Sequence, residues 1–194
     1  MNEIANSLQA LITSFAFYLP VTGTILAVLW GIQIMNKLSG YRLNYLGITP
    51  RNIFGLVGIV FSPLLHRDFT HLLLNSIPLF LLMNLVLLKG YPNFIAISLF
   101  IILIAGFAVW LLGQRAIHIG SSTVIMGYFG YLAANAYRTP STMNIILILL
   151  GVYYFGTVFL IALLPGKKGV SWASHIFGFL AGIGAVYFLP QILS

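Results

Sequence analysis

Apolar residues in this chain gather into long runs separated by short polar stretches. Five runs, at residues 15–35, 72–88, 94–112, 145–164 and 172–189, reach or nearly reach the roughly 20 helical residues needed to cross a hydrocarbon core. A sixth, at residues 122–136, is shorter than a full span. The pattern predicts an all-α bundle of six helices. A short helix among longer ones is expected to sit centrally, with one end submerged in a cavity.

The stretch from residue 37 to 70 is different. It is long, carries Pro50 and Pro63, and encloses an apolar run at 53–65 that is too short to span. Such a run is expected to lie in the interface or to re-enter, since irregular backbone at membrane depth needs protein or water to satisfy it. The other connections are short and hold ordinary breakers: Gly90-Tyr91-Pro92, Arg138-Thr139-Pro140 and Pro165-Gly166-Lys167-Lys168-Gly169. No internal repeat stands out, which weighs against the repeat-built transporter folds.

Composition agrees with lipid as the main solvent. The 194 residues are 60% hydrophobic and 6% charged, too little charge to cover a soluble domain. That length predicts a single domain over residues 1–194, with no room for a soluble appendage. The N-terminal residues carry Glu3 and no base, so the first run reads as a retained helix rather than a cleaved signal. Cysteine is absent, which removes disulfides and thiolate metal sites and leaves the redox compartment open.

Charge changes the picture less. The net +7 comes from nine Lys+Arg against Glu3 and Asp68. The basic residues are scattered singly, which fits anionic lipid headgroups as a partner and argues against nucleic acid. With the N-terminus inside, Lys37, Arg42, Arg51, Arg67, Arg115, Lys167 and Lys168 fall outside and only Lys89 and Arg138 inside. That opposes the positive-inside tendency, although four of the seven lie in the long first loop, where the tendency counts least.

The chemistry must come from few residues. No Asp, Glu, Lys or Arg falls within the six runs, leaving His175 in the last, His71 and Asn75 at the start of the second, and Ser122 opening the short fourth. With two acids in the chain, a membrane aspartyl pair is closed off. His-Glu-x-x-His is absent, and no third member suits a Ser-His-Asp triad. A serine activated directly by histidine survives.

Gly120-Ser121-Ser122 lies at a loop-to-helix junction, where unpaired N–H groups and the helix dipole favour a developing anion. The plain alternative is an N-cap serine, and Ser121 is a rival within the motif. Gly178 and Gly182 follow His175 on one helix face, and Gly127, Gly130 and Ala134 offer a matching face on the short helix. Two such faces in contact would carry His175 towards Ser122; the alternative for the histidine is a bond to a carbonyl. His71 and Asn75, at i and i+4, point the same way and both offer N–H donors suited to an oxyanion. Their alternative role is an interhelical bond, the role expected of Asn84 and Asn135.

Together these residues resemble the rhomboid family. His71-x-x-x-Asn75 is similar to its second-helix motif, with His66 where many members carry another histidine. Gly120-Ser121-Ser122, followed by Gly127 and Gly130, is similar to its Gly-x-Ser fourth helix, and residues 169–175 followed by Gly178 and Gly182 to its sixth-helix signature. The resemblance runs from about residue 47 to 189.

It implies a six-helix rhomboid-like bundle with a membrane-associated first loop. The activity implied is intramembrane serine endopeptidase, cleaving transmembrane protein substrates without metal or cofactor. Ser122 would be the nucleophile and His175 the general base, with the Ser122 N–H, His71 and Asn75 as oxyanion hole. The natural substrate and oligomeric state stay open, and the compact form suggests a bacterial plasma membrane.

Thr123 and Met126 depart from the family pattern, where a glycine and often an aromatic stand. A catalytically inactive, client-binding relative is the alternative, and a small transporter or channel a third. By position, Tyr153, Tyr154 and Phe155 are expected to line a lateral gate, and residues 166–170 to form a cap.

Overall fold

The computed structural model describes residues 2–140, 149, 151–153, 156 and 172–189. Its helices are α1 (Asn2–Leu38), the short α2 (Gly58–Phe61), α3 (Phe69–Leu87), α4 (Tyr91–Leu112), α5 (Ser122–Arg138) and α6 (Trp172–Phe188). Five of the six expected helices therefore have a counterpart. The run at 145–164 lies outside the described residues apart from helical positions at 149, 151–153 and 156.

Two boundaries differ from expectation. Helix α1 starts at Asn2 rather than near residue 15, because no Pro or Gly interrupts the polar opening residues. Helix α5 continues to Arg138 and ends just before Pro140, since a residue preceding proline is pushed out of helical geometry. It thus has 17 residues, fewer than the 19 of α3 and 22 of α4 but equal to the 17 of α6.

Polarity is inverted relative to a soluble protein. Leu74, Ile77, Ile95, Leu103, Phe107 and Leu112 are exposed, while Gln33, Asn36, His66, Asn84 and His118 are buried. Large apolar side chains facing outward and polar ones facing inward is the arrangement that lipid selects. Among the described residues, three helices are long and apolar enough to cross a bilayer: Leu8–Leu38, Phe69–Leu87 and Tyr91–Leu112. The described residues form an all-helical membrane protein.

Helix α5 is the packing centre, touching α3, α4 and α6, with every residue from Val124 to Tyr131 buried. Hydrocarbon gives little drive to bury one more leucine, so close van der Waals contact must hold such helices together. Glycines supply it. A methyl group at Gly178 would collide with the Thr123 carbonyl, at Gly182 with the Gly127 carbonyl, and at Gly130 with the Phe179 carbonyl. The α5–α6 faces read from sequence are thus in contact, backbone to backbone.

Helix α1 is held differently. Of its four most buried side chains, Thr22, Gln33 and Asn36 are polar and only Leu29 is apolar. The Asn84 Nδ2 donates to Thr22 Oγ1 at 3.3 Å, which gives Asn84 its expected interhelical role. Trp30 Nε1 donates to Ser76 Oγ at 3.2 Å.

The long first loop folds into 3-10 turns around α2, and Ile59 packs on Gly106 of α4. Its apolar run does not span. An antiparallel bridge between Ile48 and His118 joins this loop to the segment before α5. Arg51 donates through Nη1 to the Leu111 and Gly113 carbonyls, covering the C-terminal end of α4.

Candidate active site

The site forms where the loop before α5 meets α3. Gly120 has φ +119°, a backbone state that suits glycine, and its N–H donates to the Ser62 carbonyl at 2.9 Å. A Cβ there would lie 2.8 Å from His71 Cε1 and 3.6 Å from Asn75 Nδ2. His71 and Asn75 therefore face the Gly120-Ser121-Ser122 turn. Asp68 makes this possible: its Oδ1 accepts from the His71 N–H at 2.7 Å, starting α3 so that His71 falls in the first turn. The Arg67 guanidinium bonded to Asp68 holds that carboxyl below its ordinary pKa. Neither Asp68 contact involves an imidazole.

Ser122 is the first residue of α5 and half-buried. Ser121 occupies the N-cap position but makes no side-chain cap bond, so an N-cap serine in the usual sense is not what the motif provides. Among the described residues, the buried Asn75 Nδ2 and His71 Nδ1 have no hydrogen-bond partner. An amide NH₂ left unpaired in a membrane interior is costly, and it is available to any acceptor entering the turn.

His175 is buried in the first turn of α6, and its Nδ1 also lacks a partner among the described residues. The Gly178–Thr123 contact, one turn further along, brings this end of α6 to the start of α5. Among the described residues no hydrogen bond joins Ser122 to His175. Such bonds are often long in resting sites and tighten only around a bound reactant.

A different serine and histidine do touch. Ser121 Oγ lies 3.2 Å from His66 Nε2, and the Ser121 N–H donates to the same nitrogen at 3.4 Å. His66 is fully buried and Ser121 is 2% exposed, so no substrate carbonyl reaches this hydroxyl. Burial pushes the His66 pKa down to about 4, with the nearby His71 adding to it and the Leu64 carbonyl and Asp68 opposing. His66 is therefore neutral at pH 7, with Nε2 as acceptor. Its ring meets the His71 ring edge-on at 5.3 Å, and its carbonyl accepts from Asn36 Nδ2 at 3.4 Å.

His118, Ser174 and Asn36 belong to this neighbourhood, and the sequence motifs did not single them out. His118 Nε2 donates to the Gln114 carbonyl at 2.9 Å, and its Nδ1 lies 3.4 Å from Ser174 Oγ. Burial lowers the His118 pKa, against an opposing pull from the Gln114 carbonyl. A lone histidine in the apolar stretch Ala116-Ile117-His118-Ile119 was the available signal. Asn36 also binds Asn44 Oδ1 at 2.8 Å and accepts from the Leu43 N–H, ordering the chain after α1.

Met126 is buried beside Gly178, and the Thr123 side chain is half-buried. Tyr153 is exposed; Tyr154, Phe155 and residues 166–170 lie outside the described residues. Among the described residues no group of His, Asp or Glu is arranged to hold a metal ion.

Comparison with known proteins places this chain in a family. The Rhomboid domain family matches residues 54–192. Uncharacterized proteins of Mycobacterium tuberculosis and Mycobacterium bovis are each 34% identical over 174 residues, covering 86% of this chain and 72% of their own. One of Mycobacterium leprae is 31% identical over 173 residues, covering 86% of this chain and 69% of its own. With the match covering most of the chain, including the turn before α5 and both helices that flank it, this protein belongs to the rhomboid family.

Proposed function

We propose that this protein is an intramembrane serine endopeptidase that cleaves transmembrane substrates through Ser122 and His175. The observation that carries the reading is the convergence, on the turn that presents Ser122, of the edge of the His71 ring and the buried Asn75 Nδ2, which has no partner among the described residues. Donors fixed around the start of a helix, with no protein acceptor, suit an oxygen that becomes negatively charged during reaction.

In this mechanism the His175 imidazole takes the Ser122 proton as the hydroxyl oxygen attacks a peptide carbonyl. The tetrahedral oxyanion is held by the Ser122 N–H, Asn75 and His71. His175 then protonates the departing amine, leaving an acyl-enzyme on Ser122. A water activated by the same histidine releases the acyl chain and restores the dyad. No cofactor takes part. The reading includes six membrane spans in one domain over residues 1–194, with residues 145–164 as the fifth, in a bacterial plasma membrane.

One observation favours a second reading, an inactive relative that binds membrane clients: the Ser122–His175 hydrogen bond is not closed. A serine-directed fluorophosphonate separates the two. The protease reading expects covalent labelling of the wild type that disappears in Ser122→Ala and His175→Ala. Equal behaviour of wild type and Ser122→Ala would refute it.

A further inference from the structure

Each residue of the proposed dyad directly follows a serine that meets a buried histidine. Ser121 precedes Ser122 and lies 3.2 Å from His66; Ser174 precedes His175 and lies 3.4 Å from His118. All four are at most 5% exposed, and His66 is fully buried, so neither pair competes for substrate. The two histidines are also set up as acceptors in opposite ways. His66 receives the Ser121 N–H on Nε2, so that nitrogen carries no proton and the Ser121 hydroxyl donates to it as well. His118 spends its Nε2–H on the Gln114 carbonyl, which leaves Nδ1 to accept from Ser174.

Both histidines sit on connecting segments rather than in long helices, and both segments are tied down independently. The His66 carbonyl is held from α1 by Asn36, and the neighbouring Ser62 carbonyl holds Gly120. His118 exchanges both backbone hydrogen bonds with Ile48, at 2.9 and 3.0 Å. The clamps thus refer the two reacting side chains to one scaffold, the first loop, which packs on α4.

We propose that Ser121 and Ser174 are positioning residues, clamped by His66 and His118, that set the approach of Ser122 to His175. This rests on the dyad reading above. Neither serine touches substrate. Each fixes the backbone one residue before a reacting group, where a small displacement is passed on directly to the hydroxyl or the imidazole.

The test is fluorophosphonate inactivation of the full chain in detergent, with the maximal rate separated from the half-saturating concentration, on Ser121→Ala, Ser174→Ala and the double variant. A misplacement of a fraction of an ångström predicts a maximal rate about tenfold lower for each single variant, with half-saturation and melting temperature nearly unchanged. Because both clamps set the same separation, the double variant is expected to fall well short of the roughly hundredfold product.

Unchanged rates in both single variants would overturn the proposal, as would losses that multiply in the double variant. Slowing that tracks a falling melting temperature would overturn it too, since general loosening then explains both. Wild-type labelling that survives Ser122→Ala instead removes the dyad, and the clamps with it. Labelling that needs Ser122 but ignores Ser121 and Ser174 removes the clamps alone.

Discussion

Ser121 and Ser122 are neighbours in one turn, yet their surroundings are opposite. Ser121 has a histidine at 3.2 Å, is sealed from solvent, and occupies that histidine's Nε2 with both its hydroxyl and its N–H. Ser122 is half-buried and closes a turn faced by the His71 ring and by Asn75 Nδ2, which has no partner among the described residues. A closed hydrogen bond marks the serine with structural work, and unspent hydrogen-bonding capacity marks the one with room for a reactant. Contact alone would have selected Ser121, which the proposed mechanism does not use.

The sharpest way to break this contrast is to remove each hydroxyl in turn. Ser122→Ala is expected to abolish cleavage of a transmembrane substrate and fluorophosphonate labelling, whereas Ser121→Ala slows labelling without abolishing it. Next in size is the proposed oxyanion donor. Asn75→Ala is expected to lower kcat about 10²–10³-fold with little change in KM, as measured on a fluorogenic transmembrane peptide.

The buried pair predicts a pH dependence of stability. His66 takes up a proton near 6.5 when unfolded and near 4 in the folded protein. Between these values the unfolded chain binds more protons, so this stabilisation is complete above the unfolded value and is lost as pH falls towards about 4. The whole effect is at most about 3 kcal/mol. Melting in detergent should show the fall, and His66→Gln should flatten it.

The smallest expected effect concerns the surface that carries His175. Gly182→Ala drives a methyl group into the Gly127 carbonyl and is expected to cost about 1–3 kcal/mol. Gly184→Ala, whose nearest neighbours lie at 3.6–3.8 Å, should stay within about 0.5 kcal/mol. Thermal melting of the two variants side by side checks the difference.

The sequence revealed the helices because lipid-facing spans must be apolar for their whole length, and the glycine spacing of α5 and α6 showed which faces meet. His71, Asn75, Ser122 and His175 stood out as candidates because intramembrane polarity is rare. The anchoring of α1 was not: Thr22, Gln33 and Asn36 are uncharged residues in an apolar run, and only three dimensions show that they form its buried side. His66 was legible only by family likeness, and its partner Ser121 only as a rival nucleophile. His118 and Ser174 stayed hidden because their meeting joins residues 56 positions apart through two connecting segments without a shared motif.

The central claim is that Ser122, and not its clamped neighbour, is the nucleophile. The most direct measurement is peptide mapping by mass spectrometry after fluorophosphonate treatment of the wild-type protein. The phosphonyl adduct is expected on Ser122, with Ser121 unmodified; an adduct on Ser121, or none on either serine, would contradict the account.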